Sequence, residues 1–163
     1  MAENDVTNLS GVISTIGIFV DQRVSGAGAA DWEYICALNA RAMNITRAEQ
    51  TTSIVAQCGP GAPVETWRQA GALDWNVTGE AALVLATFDF MRGWILSGTQ
   101  KNVRIVFYKG PKDALVAHGY YEGMAVLLEY PVNQPDADNI PTANVSISKG
   151  AGTLAWTTGA PSA

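Results

Sequence analysis

The sequence ATFDFMRGWILSGTQKNVRIVFYK, from Ala86 to Lys109, decides the fold. Around its first half, apolar residues recur at spacings of four, three and four, which is the pattern of one helical face: Val84, Phe88, Met91 and Ile95. In its second half, apolar and polar residues alternate from Val103 to Phe107, which is the pattern of a strand. The stretch therefore predicts one helix, about 86–97, that runs directly into a strand.

Three residues predict where this helix begins and ends. Thr87 is suited to the N-cap, and Asp89 lies in the first turn, where the helix dipole favours an acid. Gly98 predicts the C-terminal end, because glycine adopts the left-handed conformation that ends a helix. A lone helix with a rich apolar face is expected to cover the open face of a sheet.

The rest of the chain consists mainly of short alternating segments and turns, which predicts a mainly-β fold in a single domain, 1–163. The polar residues 1–10 and the linker-like residues 157–163 are expected to be flexible tails. We find no internal repeat and no composition shift that would mark a domain boundary.

The strongest break in the chain is CGPGA, Cys58–Ala62, followed by Pro63. Glycine and proline at these positions prevent both a helix and a central strand. The segment 49–71 is therefore predicted to be a long loop or an extended hairpin, and segments of this length are often functional. Trp67 lies within it, either exposed or folded back onto the core.

Composition excludes several classes of protein. Charged residues make up 15% of the 163 residues, so either other subunits cover part of the surface or small polar residues fill it. The net charge of −5 argues against a protein that grips the phosphate backbone. Two cysteines, Cys36 and Cys58, do not indicate a disulfide framework, and free thiols are expected.

The sequence also gives expectations about location. The apolar run Val12–Val20 is too short to span a membrane. The first ten residues include Glu3 and Asp5 and no base, unlike a secretory signal. We therefore expect the chain to fold in a cytoplasm and to have no membrane partner.

The residues offer little for catalysis, and the sequence predicts neither an enzyme, a cofactor nor a metal site. The one histidine, His118, has Glu122 four residues on but no further histidine or cysteine at ligand spacing. An enzyme on a small barrel using this pair is the less favoured hypothesis. Lys149–Thr153 lacks the order of a phosphate-binding loop and is expected to be a hairpin turn.

The five tryptophans allow a second class of function, a β-sandwich module that binds a carbohydrate or a receptor. Trp32, Trp75 and Trp156 each fall in phase with apolar strand neighbours, and Trp94 lies on the predicted helix. This phasing favours positions in the core over an exposed binding platform.

The order of parts is more telling than any single motif. Two strand-like segments, WEYICALNARAMNITRAEQTT, precede the 49–71 segment and GALDWNVTGE; the helix then ends in WILSGT before VRIVF. The strand GYYEGMAV, a loop with NIP and the segment VSISKGAGTL close the chain. Over about residues 14–156 this order resembles the major tail proteins, or tail tube proteins, of long-tailed (siphovirus-type) bacteriophages, which are related in fold to type VI secretion tube proteins.

The resemblance implies two antiparallel sheets forming a β-sandwich or barrel, flanked by the helix. It implies a structural subunit of the virion tail, assembled in the host bacterial cytoplasm, whose hexameric rings stack into a tube that delivers the genome. Its partners would be further copies of the chain, the tape-measure, tail-terminator and distal tail proteins, and double-stranded DNA that passes without specific binding.

The resemblance also implies roles for particular residues. The 49–71 segment would be an arm that reaches a neighbouring subunit or ring, with Pro60, Gly61, Pro63 and Trp67 in it. Glu129 is a candidate for an acidic residue that faces the lumen, because it was expected to face away from an apolar face formed by Met124 and Val126.

Overall fold

A computed structural model describes residues 12–23, 29–35, 38–55, 61, 63–134 and 136–161. Its elements, in chain order, are β1 Ile13–Asp21, β2 Trp32–Tyr34, β3 Leu38–Val55, β4 Val64–Ala82, α1 Leu85–Ser97, β5 Lys101–Lys109, β6 Val116–Glu129, β7 Val132–Asn133, β8 Thr142–Lys149 and β9 Ala155–Thr158. The mainly-β fold with its helix is confirmed. The predictions for residues 1–10, Cys36, Cys58 and Pro60 concern positions outside the described residues.

The nine strands form one antiparallel sheet in the order β2-β1-β5-β6-β8-β4-β3, with β7 paired to β8 and β9 paired to β6. The two sheets that the resemblance implied are therefore the two halves of one sheet. Strand β6 belongs to both halves, because β5 pairs with it up to Ala125 and β8 pairs with it from Ala125 to Glu129. Within the described residues no strand pairing joins β3 to β1 or β2, so the sheet does not close.

The core lies between the two halves, which makes the fold sandwich-like. Ile18 and Ile105 from one half are fully buried in the same cluster as Val77 and Ile147 from the other. The helix contributes Met91 and Trp94 to this cluster. Burial of such side chains contributes about 1.5–3 kcal/mol each, so this shared core holds the halves together.

The helix ends as the sequence predicts but begins differently. At its C-terminus, Gly98 has φ +59° and its N–H donates to the Trp94 carbonyl at 3.1 Å. At its N-terminus the cap is Val84, without a side-chain hydrogen bond, so the assignment of Thr87 as N-cap was wrong. Thr87 is instead buried inside the first turn, in line with Met91 and Trp94 on the core-facing stripe.

Strand β6 also differs from the sequence-based prediction. Its core-facing residues are Ala125 and Leu127, whereas Met124 is 37% and Leu128 is 59% exposed. The expected apolar face of Met124 and Val126 was therefore assigned to the wrong side. The reason is packing: a Cβ added to the preceding inward residue, Gly123, would lie 3.3 Å from the Leu154 side chain and 3.5 Å from the Trp75 ring, so little room is left here, and small residues, Gly123 and Ala125, precede Leu127 on the core side.

The last strand, β9, pairs Thr157 with Tyr120 and Thr158 with Gly119. These two threonines fall in the segment that the sequence assigned to a C-terminal tail. Their strand pairing adds β9 to the edge of β6 that β8 leaves open.

Candidate assembly surfaces

The 49–71 segment is a hairpin rather than a loop. Strands β3 and β4 pair continuously apart from two bulges, and their outer part runs from Glu49 opposite Ala70 to Val55 opposite Val64. At about 3.3 Å per residue this outer part is about 20 Å long. We call residues 49–55 and 64–70 the ribbon; its described side chains are exposed, and none of them belongs to the core cluster.

Of the arm residues that the sequence singled out, Trp67 lies in the ribbon, Gly61 and Pro63 lie just beyond its paired part, and Pro60 lies outside the described residues. Gly61, at φ +81°, and Pro63 are exposed near the tip. Trp67 is 62% exposed, so it does not fold back onto the core. Its indole Nε1 donates to a Glu65 carboxylate oxygen at 3.4 Å.

The two faces of the ribbon differ in chemistry, because residues paired across an antiparallel ladder share a face. Trp67 pairs with Thr52, and Glu65 pairs with Ile54, which is 38% exposed. The ion pair between Arg68 and Glu49, at 3.1 Å, lies on the opposite face. One face is thus aromatic, apolar and acidic, and solvent reaches all of it.

A second surface is the outward side of the half formed by β3, β4, β8 and the end of β6, which we call the polar face. One row of paired residues across it is Glu129, Ser146, Thr78 and Ala42. Further outward residues are small and polar: Asn44, Asn76, Asn144 and Ser148. Apolar Val126, the register partner of Ser148, lies on the same side. Glu80 and Glu129 are exposed acids that line a depression of about 400 Å³ in this face, which Arg41 also lines.

The polar face has two unpaired edges among the described residues. On one side β3 pairs with β4 alone. On the other side β5 stops at Ala125, which leaves one edge of β6 open from Val126 to Glu129. Open backbone N–H and C=O groups along an edge are a template for pairing with another strand.

A cluster on the outward side of the other half holds β2 against the sheet. The Arg104 guanidinium lies 4.0 Å from the centre of the Trp32 ring and 5.2 Å from that of Tyr120. Its Nε donates to Glu122 at 2.7 Å, and Asn102 donates to the same carboxylate at 2.6 Å. The side chain of Arg104 is 11% exposed, so the cation is packed between rings and carboxylate.

Among the described residues, the side chains that could act in catalysis or bind a metal are not arranged for either role. Glu122 is engaged by Arg104 and Asn102, whereas the His118 ring lies 6.1 Å from that of Trp156, so the structure gives the pair different partners. The described part of the chain contains no group of three or more His, Cys, Asp or Glu residues that could hold a metal. Lys149 donates to the Leu73 carbonyl at 2.6 Å, which occupies its amine.

The tryptophans divide between core and surface. Trp75 and Trp94 are 2% exposed, as predicted, and Trp32 is half-buried under Arg104. Trp156 is 42% exposed, so its assignment to the core was wrong; it packs on Tyr121 with ring centres 4.8 Å apart. The two exposed indoles, Trp67 and Trp156, lie on different elements and form no shared platform. In the described residues no helix is long and apolar enough to span a membrane.

No protein-family model matches the chain, and no curated protein matches its sequence. Solved structures do match. The tail of an empty gene transfer agent particle, refined with C6 symmetry, gives a TM-score of 0.60 at 16% identity, over 86% of this chain and 96% of that chain.

Two other assemblies contain chains of the same fold. The SPP1 tail tube gives a TM-score of 0.57 at 12% identity, over 89% of this chain and 77% of that chain. A chain of the sheath–tube complex of PVC, an extracellular contractile injection system, gives 0.60 at 13% identity over 94% of each chain. The likeness spans both halves of the sheet and the helix. This chain therefore has the fold of a tail tube protein.

Proposed function

We propose that this chain is a non-enzymatic structural subunit of a bacteriophage tail tube, which forms hexameric rings that stack around a lumen for double-stranded DNA. The observation that carries the proposal is the unpaired outer edge of β3 in a fold that tube proteins share. Strand β3 has 18 residues, and a soluble monomer with such an edge invites pairing with another chain.

Strand direction supports ring formation. Neighbouring strands of the polar face alternate in direction from β6 through β8 and β4 to β3. When copies are placed side by side, the β3 edge of one meets the Val126–Glu129 edge of the next in antiparallel orientation, like the pairs within the chain. Such a contact is heterologous, so repetition closes a ring when the rotation fits.

In this arrangement the polar face lines the lumen, and Glu129 and Glu80 are its acids. Short polar side chains leave a smooth wall, and carboxylates repel the phosphates of DNA, so the duplex slides without sticking. The exposure of Glu129 and its place opposite Ser146 support the lumen role proposed for it.

The 49–71 segment, which contains the ribbon, is the proposed arm between subunits or rings, and Pro60, Gly61, Pro63 and Trp67 are the residues proposed to take part in it. Ring-on-ring contact is open rather than closed, so it propagates into a tube. The tape-measure, tail-terminator and distal tail proteins are the proposed partners at the ends of the tube and inside it. The proposed location is the virion tail, after assembly in the host bacterial cytoplasm.

The experiment that tests the proposal is negative-stain electron microscopy of purified protein over a rising concentration series. We expect hollow tubes or six-fold rings at high concentration. Mass spectrometry of purified phage particles, if this chain is encoded beside virion genes, checks the same claim in the assembled tail. Protein that stays monomeric at every concentration and is missing from tails contradicts the proposal.

The lumen assignment has its own test. Glu129→Lys and Glu80→Lys together reverse the charge of the lumen, and we expect tubes of normal shape but slower genome delivery, because lysines hold the phosphates. The matched control is Asp89→Lys and Asp113→Lys, exposed acids on α1 and on the turn between β5 and β6, with the same change in net charge away from the polar face and the ribbon. Delivery that is unchanged by the first pair contradicts the assignment of the polar face to the lumen.

A further inference from the structure

An apolar groove opens between the two ends of the sheet. Its walls come from β1, β3, β5, β6 and β9, and its volume is about 340 Å³. The residues that line it are predominantly large and apolar: Ile13, Ile16, Met43, Ile45, Phe107, Tyr121 and Trp156, with His118 at one side. Ile13, Ile45 and Trp156 are each at least 42% exposed. An open apolar site of this size suits a bulky side chain from outside.

Cations flank the apolar wall on β3. Arg41, Met43, Ile45 and Arg47 alternate on one face of the strand, between its two bulges. Arg41 donates to the carbonyls of Leu38 and Ile16 and to the Tyr34 hydroxyl, all of which are uncharged. Opposite, Lys109 is the register partner of Ile13. The lining of the groove is thus apolar, and basic residues lie beside it: exposed Arg47, which donates to the Gly71 carbonyl at 3.4 Å, is two residues from Ile45, and Lys109 is paired with Ile13. This arrangement favours an apolar group that carries an acid.

The ribbon has both an exposed apolar side chain and an acid on one face. Trp67 is the most exposed of the five tryptophans, and it shares a ribbon face with Glu65, whose carboxylate meets the indole N–H. A tryptophan side chain buries about 150–250 Å² when it docks, which is a large share of what a small contact needs. The apolar lining of the groove and the basic residues beside it thus both have counterparts on the ribbon.

Trp67 of the ribbon cannot reach the groove of its own chain. Ile45 lines the groove on β3, whereas Thr52, the partner of Trp67, is seven residues further along the same strand. An extended ribbon places these positions about 20 Å apart. The Trp67 that fills a groove must belong to another copy.

We propose that the groove is the docking site for the Trp67 face of the ribbon from a second copy of this chain, with Glu65 against the arginines of β3. This inference rests on the proposed tube function and deepens it, because it names the surface that receives the arm. Repeated from copy to copy, the contact links each subunit to the next without closing on itself.

The first test is cross-linking in assembled protein. A photo-reactive benzoylphenylalanine replaces the exposed Ile45, the sample is irradiated, and mass spectrometry maps the attachment site. We expect cross-links to residues 64–69 in a covalent dimer. The matched control places the same group at Asn44, on the opposite face of β3, where this product is not expected. Cross-links from position 45 to residues 1–11, or to any other segment, overturn the proposal.

The second test is a charge-reversal cycle read by the lowest protein concentration that forms tubes. Glu65→Lys and Arg47→Glu alone should each raise that concentration at least about threefold, and the double variant should lower it again. Trp67→Ala should raise it at least about tenfold, and Trp67→Phe should raise it less. Additive effects of the two reversals, with no recovery in the double variant, contradict the proposed contact.

The two proposals fail in different ways. If wild-type protein forms tubes but Trp67→Ala forms them at the same concentration, the docking site is wrong and the tube function stands. If wild-type protein forms no tubes and is missing from tails, the tube function itself is wrong. Circular dichroism of each variant verifies that loss of assembly is not loss of folding.

Discussion

At the scale of single residues, Asp21 is the most closely surrounded carboxylate in the described structure. Its side chain is 6% exposed and accepts hydrogen bonds from the Arg23 Nε and Nη2 at 2.8 and 2.5 Å, and from the backbone N–H groups of Arg23 and Asp31. The Arg23 side-chain hydrogen bonds, helped by the backbone donors, outweigh burial and lower the pKa of Asp21 from its usual 3.8.

This carboxylate predicts a particular pH dependence. Because its pKa is lower in the folded state, its contribution to stability is complete above about pH 4 and is lost as pH falls through the folded pKa. Asp21→Asn should lower the free energy of unfolding by about 2 kcal/mol at pH 7. Urea unfolding at pH 7 and pH 3 checks this: the gap between wild type and variant should narrow in acid, and an equal gap at both pH values contradicts the assignment.

Arg104 gives a second prediction at this scale. Arg104→Ala should cost about 2–3 kcal/mol, because it removes the Trp32 stacking and leaves the partly buried Glu122 without its cation. Arg104→Lys should recover less than half of the loss, since lysine lacks the planar group that stacks and bonds together. Equilibrium urea unfolding measures both, and a lysine variant as stable as wild type argues against the stacked geometry.

These residues also show what one sequence can and cannot predict. Arg104 lies on β5, and its partners Trp32 and Glu122 come from β2 and β6, which are separated by many residues along the chain. The periodicity of a local stretch carries no information about contacts between residues that are far apart in sequence. Gly61, Pro63 and Trp67 could be singled out from the sequence, because glycine, proline and an isolated aromatic residue leave a local signal; their role in an arm stays a prediction.

At the scale of elements, the helix was predictable because its signal is local. The apolar spacing and the glycine stop fixed about 86–97, against the observed Leu85–Ser97. The phase of β6 was not predictable, because the inward residues Gly123 and Ala125 are small, whereas Met124 and Leu128 beside them are large and exposed. A hydrophobic pattern reports a core face well only when the neighbouring elements leave room for large side chains.

Two glycines give matched predictions for these elements. Gly93, inside α1, has no atom within 4 Å of an added Cβ, so Gly93→Ala should stabilise the protein by about 1 kcal/mol. At Gly119, in β6, an added Cβ would lie 2.4 Å from the Trp156 ring and 2.7 Å from the Thr157 carbonyl oxygen. Gly119→Ala should therefore cost about 1–3 kcal/mol by displacing β9.

Thermal unfolding compares the two variants directly. We expect Gly93→Ala to melt above wild type and Gly119→Ala below it, with a change in tryptophan emission in the latter only, since Trp156 moves. Equal melting temperatures for the two variants contradict this account of β9 packing.

At the scale of the whole molecule, we expect the ribbon to be needed for assembly but not for folding. Replacing residues 49–70 by a short turn removes none of the described core. We therefore expect the free energy of unfolding of the shortened chain to stay within about 1 kcal/mol of the wild-type value. We expect the same variant to form no tubes at any concentration. Analytical ultracentrifugation beside urea unfolding measures both, and tubes formed by the shortened chain contradict the proposed role of the ribbon.

Overall architecture was predictable from the order of parts, whereas connectivity was not. The mainly-β fold, the helix and the arm follow from local patterns and from the resemblance. One sheet forms both layers, and this depends on which strands pair. In an antiparallel sheet with hairpins and crossovers, the same local sequence patterns are compatible with several pairings, so the sequence does not predict which one forms. The groove was missed for the same reason, because five strands far apart in sequence build it.

Strand β6 passes without a break from one half of the sheet to the other. Tilting one half therefore turns the other with it, and the shared core resists any change in the angle between them. Each subunit then behaves as a stiff block. In a tube built from such blocks we expect bending to open small gaps between rings on the outer side of the curve, while the bore keeps its width. Flexibility of such a tail then depends on the joints between copies, and in the proposed assembly the ribbons form those joints.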